Sequence, residues 1–537
     1  MSSAQPPAPA VNLPHSFNVA THFVDRNVAE GRGKKVVIEY GDEQVTYAQL
    51  LERTNRVGSG LKQLGVRPEE RVQLLIVDRP EFLYSFFGAI KIGAVAVPTN
   101  TLLKSEEYEY LLNDTRARVA IVSDSLLPRI EAIPRERLRY LAQIIVVGEA
   151  ASGASSFTEF MNAGSPDLEA EPTCKDDAAF WLYSSGSTGA PKGCIHLHHD
   201  MVVSSEHYAR AVLNISENDR CYSVARLFFA YGLGNAGYFP LHVGGTTILS
   251  PLSPKAANIF NTIERHRPTL FFSVPTNYAA LLAYQREHGP DFDLSSVRHA
   301  VSAGEALPAS LWERFKQRFG VEILDAMGST EMLHMVMSNR PGQVRPGSSG
   351  KILPGFEAKI VDEQGQPVPT GEMGMLMVKA DSTCAGYWNQ HERTKSTFEG
   401  HWIRTGDKYY QDEDGYFWYA GRADDLFKVS GSWLSPVEVE SVLVTHPAVL
   451  EAAVVARPDE DLLDRPAAFV VLNSDTPASE HLAHELQDWV AQRLAGYKQP
   501  TWVEFLAELP KTATGKVQRY KLRELARRSS TQSAPGC

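Results

Sequence analysis

The chain has 537 residues, too long for a single hydrophobic core, so two or more domains are expected. Hydrophobic residues at 43% and charged residues at 22% mark an ordinary globular protein, and a formal net charge of −11 with no extended basic run excludes nucleic acid as the main partner. An anionic ligand would therefore need a locally positive site. The opening M-S-S-A-Q-P-P-A-P-A lacks the charged-then-apolar layout of a signal peptide and reads as a terminal tail, as does 529–537. The five cysteines, Cys174, Cys194, Cys221, Cys384 and Cys537, show neither metal spacing nor a redox pair. They read as reduced thiols of a cytoplasmic protein.

The apolar run 72–77 predicts a strand, 81–92 a helix and 94–97 a second strand. Lys91, Gly93 and Pro98 interrupt and close the near-apolar stretch 82–97, which makes it a helix and a buried strand rather than a membrane span. A helix at 108–112 and strands at 119–122 and 178–182 follow. Then comes Y-S-S-G-S-T-G-A-P-K-G at 183–193, with a further strand at 194–197. Glycines let backbone N–H groups approach a ligand closely. The hydroxyls of Ser184, Ser185, Ser187 and Thr188 and the ammonium of Lys192 would complete a cradle for phosphate oxygens. The plainer reading is a surface turn that merely needs Gly and Ser. It is not a Walker A loop: counted from Gly186, the second glycine of that pattern falls on Pro191, and Lys192 precedes Gly193 instead of a hydroxyl residue.

The segment 227–235, L-F-F-A-Y-G-L-G-N, gathers aromatic and small residues, either as packing or as the wall of an apolar slot. Strand and helix then alternate again: strands 247–249, 270–274, 297–302 and 322–326, helices 256–265, 277–286 and 308–319. Two such runs predict two doubly wound α/β subdomains with ligands at the carboxyl ends of their strands. Two of these ends carry chemistry. S-A-G-E-A-L-P, with Gly304 and Glu305, allows either close approach to a planar ligand or a helix-packing turn. In D-A-M-G-S-T-E (325–331), Glu331 could bind magnesium or cap a helix.

Beyond 342 glycine and proline become frequent, and short strands (358–361, 375–378) suggest a distorted β-barrel. T-G-D ends at Asp407, a carboxylate able to accept from two ribose hydroxyls. G-R-A-D-D-L-F-K-V-S-G (421–431) offers the fixed fork of Arg422. A helix at 436–444, strands at 451–456 and 467–471 and a helix at 480–494 predict a small α+β domain. P-K-T-A-T-G-K (510–516) places Lys516 on a glycine-containing loop, as a reaching ammonium or a solvated lysine.

In order and spacing, Y-S-S-G-S-T-G-A-P-K-G, T-G-D, G-R-x-D-D, S-G and P-K-T-x-T-G-K resemble the adenylate-forming enzymes, the acyl- and aryl-CoA synthetases among them, over roughly residues 35–525. L-F-F-A-Y-G-L-G-N, G-S-T-E-M-L-H (328–334) and K-V-S-G-S-W-L-S-P-V-E-V-E-S (428–441) narrow the resemblance to the benzoate-CoA ligases and related aryl-CoA ligases.

This resemblance implies an AMP-binding N-terminal domain over 1–423 and a mobile C-terminal domain over 424–537 that carries the catalytic lysine. It implies ATP-dependent activation of an aromatic carboxylate as an acyl-adenylate, then transfer to coenzyme A, by a monomer or homodimer off the membrane. Lys516 matches the catalytic lysine; Ser184, Ser185, Gly186, Ser187, Thr188, Gly189 and Lys192 match the phosphate loop. Thr330 would contact the α-phosphate, and Glu331 would bind Mg²⁺. Gly304, Glu305, Asp325 and Met327 would line the adenine site, with Met327 standing where many relatives have an aromatic residue. Asp407 and Arg422 would hold the ribose, Asp424 matches the hinge, Lys428 is a further cofactor-binding residue, and Gly431 matches a glycine past which the pantetheine arm of coenzyme A runs. Phe229, Ala230, Tyr231, Gly232 and His334 would wall the acid pocket, with Met335 beside them. Benzoate is the preferred acid on this reading. The alternatives are a sister ligase for 4-hydroxybenzoate or 2-aminobenzoate, and a stand-alone adenylation enzyme that loads a carrier protein.

Overall fold

The computed structural model describes residues 8–149, 155–184, 191–285, 291–429, 432–459, 463–473, 476–511 and 517–532. The chain divides into two compact units, one of 1–307, 311–357 and 378–403, the other of 308–310, 358–377 and 404–537.

The first unit holds the two predicted α/β sheets. One has seven strands in the order Ser155–Ser156, Gln143–Val147, Val119–Ser123, Arg71–Leu75, Val95–Pro98, Ala178–Ser184, Lys192–Leu197. All its pairings are parallel except the last, an antiparallel hairpin. Two helices of this unit follow from local signals. Thr46 and Gln49 form a reciprocal capping box at the start of helix Tyr47–Gln63, and Pro80 opens helix Pro80–Lys91. These helices cross at glycines: a Cβ on Gly58 would lie 2.9 Å from the Gly88 carbonyl oxygen.

The other sheet has nine strands, in the order Lys351–Ile352, Met335–Ser338, Ile323–Gly328, His299–Ser302, Leu270–Ser273, Arg220–Ser223, Thr246–Leu249, Val36–Tyr40, Glu43–Thr46. The strands from Ile323–Gly328 to Val36–Tyr40 are mutually parallel. They are buried residue after residue, as strands covered on both faces must be. Phe260, Phe271, Tyr278 and Phe315 are fully buried in its core. Three of its parallel strands, ending at Ser223, Ser302 and Gly328, deliver the predicted site segments from their carboxyl ends. The pairing of Val36–Tyr40 beside Thr246–Leu249 was not foreseen, because its partner is some two hundred residues away along the chain.

In the second unit, Trp402–Gln411 runs antiparallel to Phe417–Arg422, with Asp407 opposite Arg422. Val449–Pro458, Asp464–Leu472 and Trp502–Phe505 form a three-stranded sheet. Helices Pro436–Leu443 and Glu480–Ala491 pack on it through Val439, Leu443, Leu486 and Val490. This is the predicted small α+β portion. Among the described residues no helix is long and apolar enough to cross a membrane. Cys174, Cys194, Cys221 and Cys384 are free thiols.

Candidate active site

The strands on either side of the 183–193 loop pair with Ser184 opposite Lys192, so the loop is carried at the end of a hairpin. Ser185, Gly186, Ser187, Thr188 and Gly189 lie outside the described residues. The base of the hairpin reaches the other sheet. Lys192 Nζ stands 3.3 Å from Glu331 Oε1, Ser184 Oγ donates to the same oxygen at 3.4 Å, and Tyr387 Oη donates to it at 2.9 Å. Lys192 also donates to Tyr387 Oη at 3.3 Å. Burial pushes the Glu331 carboxyl up, but the Lys192 ammonium, its own backbone amide, Tyr387 and Ser329 outweigh that. The group sits below the ordinary glutamate range and is ionised at neutral pH.

Glu331 belongs to a short turn, Thr330–Met332, whose three carbonyls are all held from outside. His196 Nε2 lies 2.8 Å from the Thr330 oxygen, the Cys384 amide donates to Glu331 at 2.8 Å, and Ser382 Oγ donates to Met332 at 2.9 Å. Leu333 follows at φ 66°, ψ −48°, and the His334 amide returns to the Met332 carbonyl at 2.8 Å. This is a γ-turn of the rarer, strained hand. Gly328 makes room for the return: a Cβ there would sit 2.2 Å from the His334 carbonyl oxygen.

That turn points His334 inward. Its ring lies against Tyr231, Tyr208 and Phe239, with centroids 5.7, 5.5 and 4.5 Å away, so two predicted wall residues, Tyr231 and His334, meet. Nε2 lies 3.3 Å from the Tyr231 carbonyl, which can only accept, so Nε2 carries the proton. Burial pushes the imidazole down to about 3, and its other nitrogen, Nδ1, has no hydrogen-bond partner. The Tyr231 hydroxyl lies 3.1 Å from both the Ser273 and Val301 carbonyls at the strand ends. Phe229 packs on Phe228 at 4.3 Å, and Ala230 and Met335 are buried. Gly232 has a backbone reason to be glycine, since a Cβ would lie 2.1 Å from the Arg226 carbonyl oxygen.

Of the predicted adenine residues, Gly304 has φ +93°, and a Cβ there would make only an ordinary contact with Val274 at 4.0 Å; Glu305 and Met327 are half-buried. Asp325 is buried, its Oδ2 accepting from the Leu307 amide at 3.4 Å, and burial pushes its carboxyl well up, towards the protonated form.

In the second unit Arg422 Nη1 donates to Asp407 Oδ1 at 3.2 Å and to the Thr405 carbonyl at 3.1 Å, so the two predicted ribose residues are joined. Asp424 is exposed in the turn after Arg422, and Lys428 Nζ lies 4.9 Å from the centre of the Trp433 ring. Gly431 and Lys516 lie outside the described residues. The flanks of the latter, Lys511 and Val517, face each other as a β-bridge. Tyr387, His196 and Asp200 escaped the sequence reading. The available signal was strand alternation, which puts Lys192, Cys194 and His196 on one face.

Residues 24–388 match the family described as AMP-binding enzyme, and 438–516 match the AMP-binding enzyme C-terminal domain. The chain is 47% identical over 520 residues to a benzoate–CoA ligase of Thauera aromatica, covering 96% of this chain and 97% of that one. It is 43% identical to a 4-hydroxybenzoate–CoA/benzoate–CoA ligase of Rhodopseudomonas palustris, covering 97% and 96%. Among solved structures, an anthranilate CoA ligase in complex with anthranoyl-AMP superposes with a TM-score of 0.93 at 45% identity, covering 97% of this chain and 99% of that one. The hairpin–turn site, the two sheets that carry it and the extent of these matches lead to one conclusion: the chain belongs to the AMP-binding enzyme family.

Proposed function

We propose that this protein joins an aromatic carboxylate, benzoate foremost, to coenzyme A with ATP, through an acyl-adenylate, releasing AMP and pyrophosphate. The observation that carries this reading is the convergence of Ser184, Lys192 and Glu331 at the base of the glycine-rich hairpin. Adenylation brings the acid carboxylate against a triphosphate, so fixed positive charge and donors must await the charge that develops. Lys192 and the loop serve the β- and γ-phosphates, Thr330 the α-phosphate, and Lys516 the carboxylate and phosphate oxygens between which the bond forms. Gly304, Glu305, Asp325 and Met327 serve the adenine, and Asp407 and Arg422 the ribose. Lys428 serves cofactor binding and Gly431 coenzyme A, with the domain boundary and hinge at Asp424.

The donor set fits Mg²⁺, which takes a carboxylate and phosphate oxygens: Glu331 is ionised and stands beside the hydroxyl-bearing Thr330. Glu331 would hold the ion, and the ion would neutralise the phosphate oxygens.

Phe229, Ala230, Tyr231, Gly232 and His334 form the acid slot. One observation favours a second acid: the neutral His334 keeps a buried Nδ1 acceptor without a partner, which suits an ortho-amino donor. A para-hydroxyl left unpaired would cost about 1–3 kcal/mol, roughly tenfold or more in rate. The test is kcat/KM for benzoate, 2-aminobenzoate, 4-hydroxybenzoate and octanoate, by pyrophosphate release with and without coenzyme A. Benzoate should lead and octanoate should fail. A preference for octanoate would sink the aromatic slot, and thioester formation only on a carrier protein would replace coenzyme A.

A further inference from the structure

We propose that His196 is a positioning residue for the first half-reaction: it holds the Thr330–Glu331 peptide in the orientation that the phosphate site needs, and Asp200 fixes its ring. The inference rests on the adenylation reading and deepens it. His196 is fully buried on strand Lys192–Leu197, on the same face as Lys192. Its ring stacks on Phe180, with centroids 5.1 Å apart and planes 16° apart. Nδ1 lies 2.8 Å from Asp200 Oδ2, and that oxygen also accepts the Leu197 amide at 3.1 Å. Nε2 lies 2.8 Å from the Thr330 carbonyl oxygen. A carbonyl oxygen has only lone pairs, so Nε2 must carry a proton whichever way the proton between Nδ1 and Asp200 is placed. The ring is thus held on its face and at both nitrogens, and its one outward act is to donate to Thr330.

The consequence for the site is geometric. The peptide whose carbonyl His196 holds is the one that joins Thr330 to Glu331, the two residues proposed to face phosphate and Mg²⁺. Of the three external donors to this turn, the Cys384 one is a backbone amide and the Ser382 one a rotatable hydroxyl. His196 is the ring among them, and it sits on the strand that also carries Lys192. One rigid element therefore sets both the ammonium and the turn that bears its carboxylate partner. A rotation of this peptide would turn Glu331 away from Lys192, 3.3 Å distant. Residues that orient a metal ligand or reacting group from behind typically matter ten- to a hundredfold when removed.

Two substitutions of nearly equal volume separate positioning from packing. His196→Gln keeps an N–H donor able to reach Thr330, and His196→Met fills the same space without one. Adenylation is read by ATP–pyrophosphate exchange with benzoate, and transfer by thioester formation from supplied benzoyl-adenylate. We expect His196→Met to lower kcat of exchange about ten- to a hundredfold and to leave transfer within about threefold of the unmodified protein. His196→Gln should recover most of the exchange rate. Melting temperatures of the two variants should agree within a few degrees. Equal exchange rates in Gln and Met variants, or equal losses in both half-reactions, would overturn the positioning role. If the unmodified protein shows no exchange with any aromatic acid, the adenylation reading itself fails, a separate and earlier result.

Discussion

At the scale of single residues, the Glu331 carboxylate is met by one cation and two hydroxyl donors. Glu331 is ionised because Lys192 and Tyr387 share its Oε1. Tyr387→Phe removes one donor to a carboxylate, worth about 1.5–3 kcal/mol, so exchange should slow about tenfold or more while transfer is unchanged. Exchange at the full rate would remove Tyr387 from the site. Lys516→Ala should lower adenylation about a hundredfold or more and spare thioester formation from supplied adenylate. Equal losses in both steps would refute its assignment to the first. Lys192 and Glu331 could be read from the chain because each stands in a run of glycine and hydroxyl residues. Tyr387 could not: it lies 195 positions from Lys192, and nothing in A-G-Y-W speaks of phosphate.

At the scale of elements, alternation and turn chemistry made most strands and helices of both sheets legible. Continuous apolar runs such as 119–122 and 270–272 are what buried parallel strands require. Edge additions such as Glu43–Thr46 and Lys351–Ile352 were not legible, because short half-exposed strands carry little pattern. The turn after Arg422 is the element on which the second half-reaction is proposed to depend. There the amides of Asp425 and Leu426 return to the Arg422 carbonyl at 3.1 and 3.2 Å. Asp424 lies inside the second unit, in the exposed middle of this turn. Asp424→Pro fixes φ there, and adenylate should still form while transfer to coenzyme A falls. If the two rates drop together, the pivot lies elsewhere.

At the scale of the whole molecule, folding buries groups that would rather be charged. His198 is an example: Nδ1 accepts the Val19 amide at 3.0 Å, Nε2 has no partner, and burial pushes the imidazole down to about 4. Its folded value lies below the unfolded value of about 6.5, so the unfolded chain binds the extra proton. Stability from this residue is therefore complete above about pH 6.5 and is lost as pH falls towards 4. His198→Asn keeps an acceptor for Val19 but cannot titrate. Relative to this variant, the unmodified protein should lose about 1.4 kcal/mol per pH unit between roughly pH 6 and 4, by urea unfolding at each pH. Buried carboxyls such as Asp78, pushed up to about 6, act in the opposite direction, but they are common to both proteins and cancel in the difference. Parallel slopes would mean that His198 is not buried as a neutral ring.

The strained turn at Leu333 has a bearing on how such a protein diverges. Only two residues separate Glu331 from His334, and the return of the chain past Gly328 leaves no slack between them. Selection for a new acid that acts on His334 therefore pulls on the same short loop that carries Glu331, the proposed magnesium ligand. The other wall segment, 229–232, follows a different strand end and meets this loop by contact, Tyr231 against His334, and not through a short stretch of chain. Lineages that change their acid should drift first along that wall and leave the Leu333 loop as a shared inheritance.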